Sequence, residues 1–281
     1  MDNAVVRMEF RGKRLARDRA LIMAIINRTP DSFYDRGATF AEEAALAAVR
    51  RAVEEGAEVV DIGGVKAGPG ATVGAAEEAD RVLPLVECIR ADFPDLVVSV
   101  DTWRASVGRQ ACEAGADLLN DTWAAADPAL AEVAADFGAG YVCSHTGGVP
   151  PRTRPHRVHY ADVVADVLAE TTTRAKQLLA AGVPREGILI DPTHDFGKNT
   201  WHGLELLRRV DELVESGWPV LMALSNKDFV GETLGVGLHE RVEGTLAATA
   251  FSAAAGVAMF RVHEVGETRR VLDTVADLVR E

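Results

Sequence analysis

The sequence predicts an α/β fold, a single (β/α)8 TIM barrel with a short N-terminal β-hairpin, and residues 1–281 form one domain. Three observations predict it. Eight short Val/Ile/Leu-rich runs each precede a segment of helical periodicity, and strands interleaved with helices imply parallel βαβ units. A polar residue closes run after run. Asn27 ends ALIMAIIN, Asp61 ends AEVVD, Asp101 ends LVVSVD, Asn120 ends GADLLN and Asp191 ends GILID. His145 follows GYVCS, Lys227 follows WPVLMALSN, and Arg261 with His263 ends GVAMFRVH. Polar side chains at the carboxyl ends of many parallel strands lie where such a barrel builds its site. Finally, 281 residues is long for an ordinary domain and typical for one α/β barrel.

In chain order, VVRMEFRGKRL alternates and carries a Gly turn signal, so it reads as a hairpin capping the barrel's amino end. Strands follow near 20–27, 58–62, 97–101, 117–120, 140–144, 187–191, 219–224 and 258–262. Their apolar continuity fits strands buried on both faces. Helices are expected over 41–55, 76–91, 104–114, 128–136, 160–181, 201–215, 239–255 and 266–280. Gly56, Gly115, Gly182 and Gly256 each follow a helical run, as C-terminal caps do. Pro84 and Pro128 are read as lying near helix starts, where a missing N–H costs little. A doubly wound open sheet is the alternative; closure removes edge strands, and the even spacing favours it. Three strand-to-helix loops, 28–40, 63–75 and 145–159, are long, and all fall on the predicted active face. Their Gly and Pro content suits loops that close over a ligand.

The formal net charge of −13 argues against nucleic acid, while a small anion can still be held by a few local cations. Cys88, Cys112 and Cys143 have no metal-type spacing; a disulfide framework is not expected, and Cys88 and Cys112 read as small core residues. No run reaches the ~18 apolar residues of a membrane helix, and the N-terminal segment lacks the apolar stretch of a signal peptide. The expectation is a reduced, cytoplasmic protein with no membrane partner.

Asp101, Asn120 and Asp191 should converge on the barrel mouth with Lys227. Acceptors, an amide and a cation around one pocket suit a flat amino-heterocycle; an ion-pair network bracing the mouth would use the same groups. Asn27, Arg261 and His263 come from the first and eighth strands, which are neighbours in a closed barrel. An amide oxygen with nearby cations fits a phosphorylated group and a magnesium ion, which takes few protein ligands beside phosphates. GGVKAGPG matches neither phosphate-binding fingerprint. His194 and His202 lack metal spacing and read as structural or solvated. Trp103, Trp123 and Trp201 read as packing residues. PPRTRPHRVH is basic, either an anion-facing loop or a solvated one.

These motifs together resemble the dihydropteroate synthase family across nearly the full length. The family's N-V-T-P-D-S-F appears as Asn27 to Phe33 with Arg28 second, V-D-T as Val100-Asp101-Thr102, and N-D as Asn120-Asp121. D-P-x-x-x-F-G-K is intact from Asp191 to Lys198, S-x-K is Ser225-Asn226-Lys227, and R-V-H is Arg261-Val262-His263. The resemblance implies a transferase of folate biosynthesis, commonly a homodimer. It would join 6-hydroxymethyl-7,8-dihydropterin diphosphate to 4-aminobenzoate, giving 7,8-dihydropteroate with Mg2+ assistance. By resemblance, Asp101, Asn120, Asp191, Phe196, Ser225 and Lys227 hold substrate. Asn27, Arg261 and His263 hold the diphosphate, Asn27 the metal, and Asn27, Lys227, Arg261 and His263 are catalytic.

The departures resemble a diverged actinobacterial-type second paralogue. The family's G-G-E-S-T-R-P-G reads Gly63-Gly64-Val65-Lys66-Ala67-Gly68-Pro69-Gly70, so its Thr and Arg become Ala67 and Gly68. S-R-K carries Asn226, and M-H-M reads Cys143-Ser144-His145. Losing arginines that bind a carboxylate is not conservative. The alternatives are a working synthase with Arg28 or Lys66 substituting, a paralogue that binds pterin with weak or no synthase activity, or a barrel using another amine or a methyl carrier. The retained Asn27/Arg261/His263 set argues against a methyl carrier.

Overall fold

The computed structural model describes residues 8–16, 18–29, 41–153 and 159–279. The chain opens with β1 (Met8–Phe10) and β2 (Lys13–Leu15), antiparallel with Met8 opposite Leu15. Arg11 and Gly12, both at positive φ, make the two-residue turn that the Arg-Gly signal predicted. The barrel alternation then runs β3 (Leu21–Asn27), α1 (Glu42–Glu54), β4 (Val59–Gly63), α2 (Ala75–Asp92), β5 (Val97–Asp101), α3 (Ala105–Ala114), β6 (Leu118–Asp121), α4 (Leu130–Phe137), β7 (Gly140–Ser144), α5 (Val163–Ala180) and β8 (Ile188–Asp191). It continues with α6 (Thr200–Arg208), α7 (Val210–Glu215), β9 (Leu221–Met222), α8 (Asp228–Leu234), α9 (Val242–Ala254), β10 (Met259–Val262) and α10 (Val265–Val279).

The eight strands β3 to β10 pair parallel, each beside its chain neighbour, and β10 returns to β3 with Arg261 level with Met23. A bridge from Ile190 to Val220 joins β8 to the β9 side and completes the ring. Strand order never reverses, which excludes the doubly wound alternative. Alternate side chains split into two packed layers. Ile22, Val60, Val98, Leu119 and Phe260 face the helices. Leu21, Met23, Val59, Val97, Leu118, Val142, Leu189 and Met259 fill the lower barrel together with Met8 and Phe10 from the hairpin. The hairpin therefore plugs the amino end, leaving the carboxyl end to the polar strand termini.

Gly56, Gly115, Gly182 and Gly256 all sit at positive φ after their helices, as expected of caps. Four expectations change. Pro84 lies inside α2, not at a helix start. The helix expected over 201–215 breaks at Arg209 (φ −117, ψ 31), whose guanidinium is held by Asp162 and Glu212. The segment after Lys227 forms the additional short helix α8. Cys88 is only half-buried, whereas Cys112 is in the core; the three cysteines are free thiols. Residues 30–40, with the Pro30 to Phe33 part of the first motif, and residues 154–158 lie outside the described residues.

Candidate active site

The nine residues that the resemblance assigns to substrate, metal or catalysis line one cavity of about 290 Å³ at the carboxyl end of the barrel, whereas Asp61 and His145 of the strand-end row lie outside its lining. Asn27 ends β3, Asp101 ends β5, Asn120 lies in β6 and Asp191 ends β8. Ser225 and Lys227 follow β9, Arg261 and His263 come from the end of β10, and Phe196 from the loop after β8. The heterocycle and anion groups expected from sequence thus form one continuous cavity, and the guanidinium of Arg261 spans them.

Arg261 donates from Nε to Asp61 Oδ2 at 2.6 Å and from Nη2 to Asp101 Oδ2 at 3.1 Å. Fully buried Asp61 also accepts from Ser99 Oγ at 2.6 Å and Asn120 Nδ2 at 3.1 Å. Thr122 Oγ1 donates to Asp101 Oδ1 at 2.7 Å. Burial works against the charge on Arg261, and Asp61 and Asp101 more than offset it, holding its pKa above the ordinary value. Burial, with the charge of Asp61 alongside, pushes Asp101 above the usual carboxylate range, although Arg261 pulls it down. Burial raises Asp191 to about 6, against the Thr193 N–H and Lys227. His263 is pushed down to about 3 by burial, then by Arg261 and Lys227. It is therefore neutral near pH 7 and offers hydrogen bonding, not the cation its motif suggested.

The loop from Asp191 to Lys198 is held rigidly. Thr193 N donates to Asp191 Oδ1 at 2.7 Å, and buried Lys198 donates to the carbonyls of His145, Thr193 and Phe196 at 2.8, 3.2 and 3.0 Å. Thr193 and Asp195 adopt positive φ, a conformation that surrounding contacts must enforce. Gly197 is obligatory: at φ +63, an added Cβ would stand 2.1 Å from Thr146 O. Gly197→Ala is expected to lower stability by roughly 3 kcal/mol or more; Gly138→Ala, at φ +61 with open space, costs about 1. Chemical denaturation of the two variants checks this.

The opposite wall is different in kind. Val65, Lys66, Ala67 and Gly68 line the cavity. Arg152 donates to the carbonyls of Lys66 (3.2 Å) and Ala71 (2.7 Å), lacing this loop to the one after β7. Asn226 turns inward, at φ 55 and fully buried, and its Nδ2 donates to Glu264 Oε1 at 3.0 Å. Ser225 Oγ donates to the other oxygen of Glu264 at 2.9 Å. Arg28 packs away from the cavity, its Nε on Arg81 O at 2.9 Å, so it does not replace a missing arginine; Lys66 does reach the lining. Asp195, from the loop after β8, and Asp228, at the start of α8, also line the cavity, and Asp228 N donates to Asp195 Oδ2 at 2.7 Å.

Among the other residues weighed, Trp123 is buried and packs edge-on to Phe196 at 4.9 Å, so it is both packing and cavity wall. Trp103 stacks edge-on to it at 6.5 Å, but Trp201 is 73% exposed, contrary to the packing expectation, because it opens α6 on the surface. His202 caps α6 and buried His194 packs on Phe229. Sequence reasoning placed Asp61 in the row of strand ends and assigned it no role; its internal position appears only when β4, β5, β6 and β10 meet. Glu264 was missed, although it directly follows the R-V-H motif.

A closed barrel whose mouth gathers acidic, amide and basic strand ends over an aromatic wall forms a pocket suited to a flat, polar heterocycle. The family model described as pterin binding enzyme matches residues 23–263, and the chain belongs to this family, among the dihydropteroate synthases. It is 66% identical to the inactive dihydropteroate synthase 2 of Mycobacterium leprae, over 95% of this chain and 93% of that one. It is 38% identical to the dihydropteroate synthase of Haemophilus influenzae, over 89% and 91%. The crystal structure of Yersinia pestis dihydropteroate synthase with a sulfonamide drug complex matches with a TM-score of 0.91 at 34% identity, covering 97% and 98% of the two chains.

Proposed function

We propose that this chain binds 6-hydroxymethyl-7,8-dihydropterin diphosphate in the barrel-mouth cavity and does not condense it with 4-aminobenzoate. One contrast carries the reading: the strand-end ring is complete, whereas the wall that would meet the second substrate is rebuilt. Asp101 and Asp191 accept from the amino and ring N–H groups of the pterin, Asn120 adds an amide, and Lys227 donates to the ring. Phe196, with Lys227 Nζ 5.1 Å from its ring centre, covers the ring face. Ser225, Arg261 and His263 meet the diphosphate end.

The residues present fit magnesium. Asn27 Oδ1 and Asp101 Oδ2 both lie beside Gly63, 3.7 and 3.9 Å from where a Cβ would stand, and hard oxygen donors are what magnesium takes. Bound magnesium would offset charge on the departing diphosphate. The protein's own contribution is to orient the methylene and to hold fixed cations beside the leaving group. No covalent enzyme intermediate is required.

On the second-substrate side, Asn226 is spent on Glu264, and Ala67 and Gly68 offer no cation. Lys66 is the one cation that the loop after β4 brings to the lining, and a lysine does not grip a carboxylate bidentately as an arginine does. The same reading gives a cytoplasmic homodimer; no described helix is long and apolar enough to cross a membrane.

Calorimetry tests both halves. Pterin diphosphate with Mg2+ should bind at one equivalent, and 4-aminobenzoate added to the loaded protein should give no binding heat. Absence of pterin binding, or saturable binding of 4-aminobenzoate, overturns the reading.

A further inference from the structure

We propose a separate site for a zinc-class divalent cation, formed by His145, Asp166 and Glu170 where the end of β7 meets α5. It lies outside the cavity lining and does not depend on the proposed pterin function.

The geometry is that of a three-ligand site. His145 Nε2 lies 2.8 Å from Asp166 Oδ1 and 3.4 Å from Glu170 Oε2, and the three ligand atoms all fall within 4.8 Å of one another. A tetrahedral ion with bonds of about 2.0–2.1 Å separates its ligands by roughly 3.3 Å. Glu170 already stands at that separation, and Asp166 needs to open by about half an ångström. Asp166 and Glu170 are one turn apart on α5, so both carboxylates face the same imidazole. Their side chains are 52% and 33% exposed, which leaves an entry path and room for a water as fourth ligand.

Two carboxylates facing one ring favour a cation between them, and the nearby Lys198 and Arg174 are directed elsewhere. The imidazole is fully buried and burial, then the Lys198 charge, hold it below its ordinary pKa, so it is neutral near pH 7. Lys198 is committed to three carbonyls, one of them that of His145. Arg174 approaches the other oxygen of Glu170, Oε1, at 3.7 Å. The Tyr160 ring stands 5.8 Å from the imidazole, and its hydroxyl donates to Gly197 O. Nδ1 of His145 is buried with no hydrogen-bond partner among the described residues. Without the ion, Nε2 therefore carries the ring proton and donates it to Asp166 Oδ1 at 2.8 Å; an incoming ion replaces that proton, which moves to Nδ1, and the hydrogen bond gives way to metal bonds to both groups. An imidazole with two carboxylates suits zinc better than magnesium.

Occupancy would clamp β7 to α5. Because His145 N donates to Thr193 Oγ1 at 3.1 Å and its carbonyl accepts from Lys198, the clamp also steadies the loop after β8.

The test titrates ZnCl2, in buffer containing Mg2+, into the wild-type chain and the Asp166→Asn/Glu170→Gln variant. The wild type should bind one equivalent and gain thermal stability. The variant should lose more than about 100-fold in zinc affinity while keeping its pterin diphosphate affinity. Crystals grown with zinc should show an anomalous peak between the three residues. No zinc uptake by the wild type, equal isotherms for both proteins, or a peak elsewhere overturns the proposal.

Discussion

Asp191→Asn is expected to weaken binding of pterin diphosphate by at least roughly 100-fold while leaving the fold intact and more stable above pH 6. The carboxylate is buried, and the Thr193 N–H occupies one oxygen. An amide of the same shape replaces an anionic acceptor by a neutral one and turns a donor towards the N–H edge of the ligand; a charged hydrogen bond lost in this way costs about 3 kcal/mol. The stability effect has the opposite sign. Burial raises Asp191 from 3.8 to about 6, so the folded state holds its proton between those values while the unfolded chain has released it. Stability therefore falls as pH rises through that window, by at most about 3 kcal/mol for this group. The amide variant, which does not titrate, carries no such penalty. Pterin affinity of the wild type should correspondingly fall as pH drops below about 6, since the acceptor becomes protonated. Calorimetry across pH 5–8 on both proteins, with denaturation in parallel, checks both signs; unchanged pterin affinity in the variant would sink the site assignment.

Asp61→Ala should be the most destabilising polar substitution at the site. Asp61 touches no cavity space, yet it accepts from Ser99, Asn120 and Arg261 with no solvent exposure. Removing it strands a buried hydroxyl and amide and leaves Arg261 with Asp101 alone, a loss of roughly 3–5 kcal/mol. For a chain of this size the thermal midpoint should fall by about 10 °C. Asp61→Asn, which can still accept from Ser99, should lose less. A change of under about 1 kcal/mol in the alanine variant would mean that the strand ends are not held as a single ionic unit.

The barrel is legible in the sequence because each strand is a short apolar run ending in a polar side chain. In a parallel sheet that end is fixed relative to the active face. The hairpin turn and the four glycine caps are legible for the same local reason: each needs a backbone conformation that glycine supplies. What was illegible depends on distant contacts. Arg209 breaks its helix because Asp162, 47 residues away, holds it. Pro84 tolerates a helix interior that local preference argues against. The inward turn of Asn226 depends on Glu264 and Thr245. The strand-end pattern could mark Asp61 as facing the barrel mouth, but only the meeting of four strands shows it beneath Arg261. Likewise the motif could suggest His263 as a cation, whereas burial beside Arg261 makes it neutral.

The central claim is that the pterin half of the site is kept and the second-substrate half is lost. Release of diphosphate tests it most directly, measured with saturating pterin diphosphate, Mg2+ and 4-aminobenzoate and compared with the same mixture lacking 4-aminobenzoate. The account predicts equal rates in the two mixtures. Release that rises with 4-aminobenzoate and matches the dihydropteroate formed would contradict it.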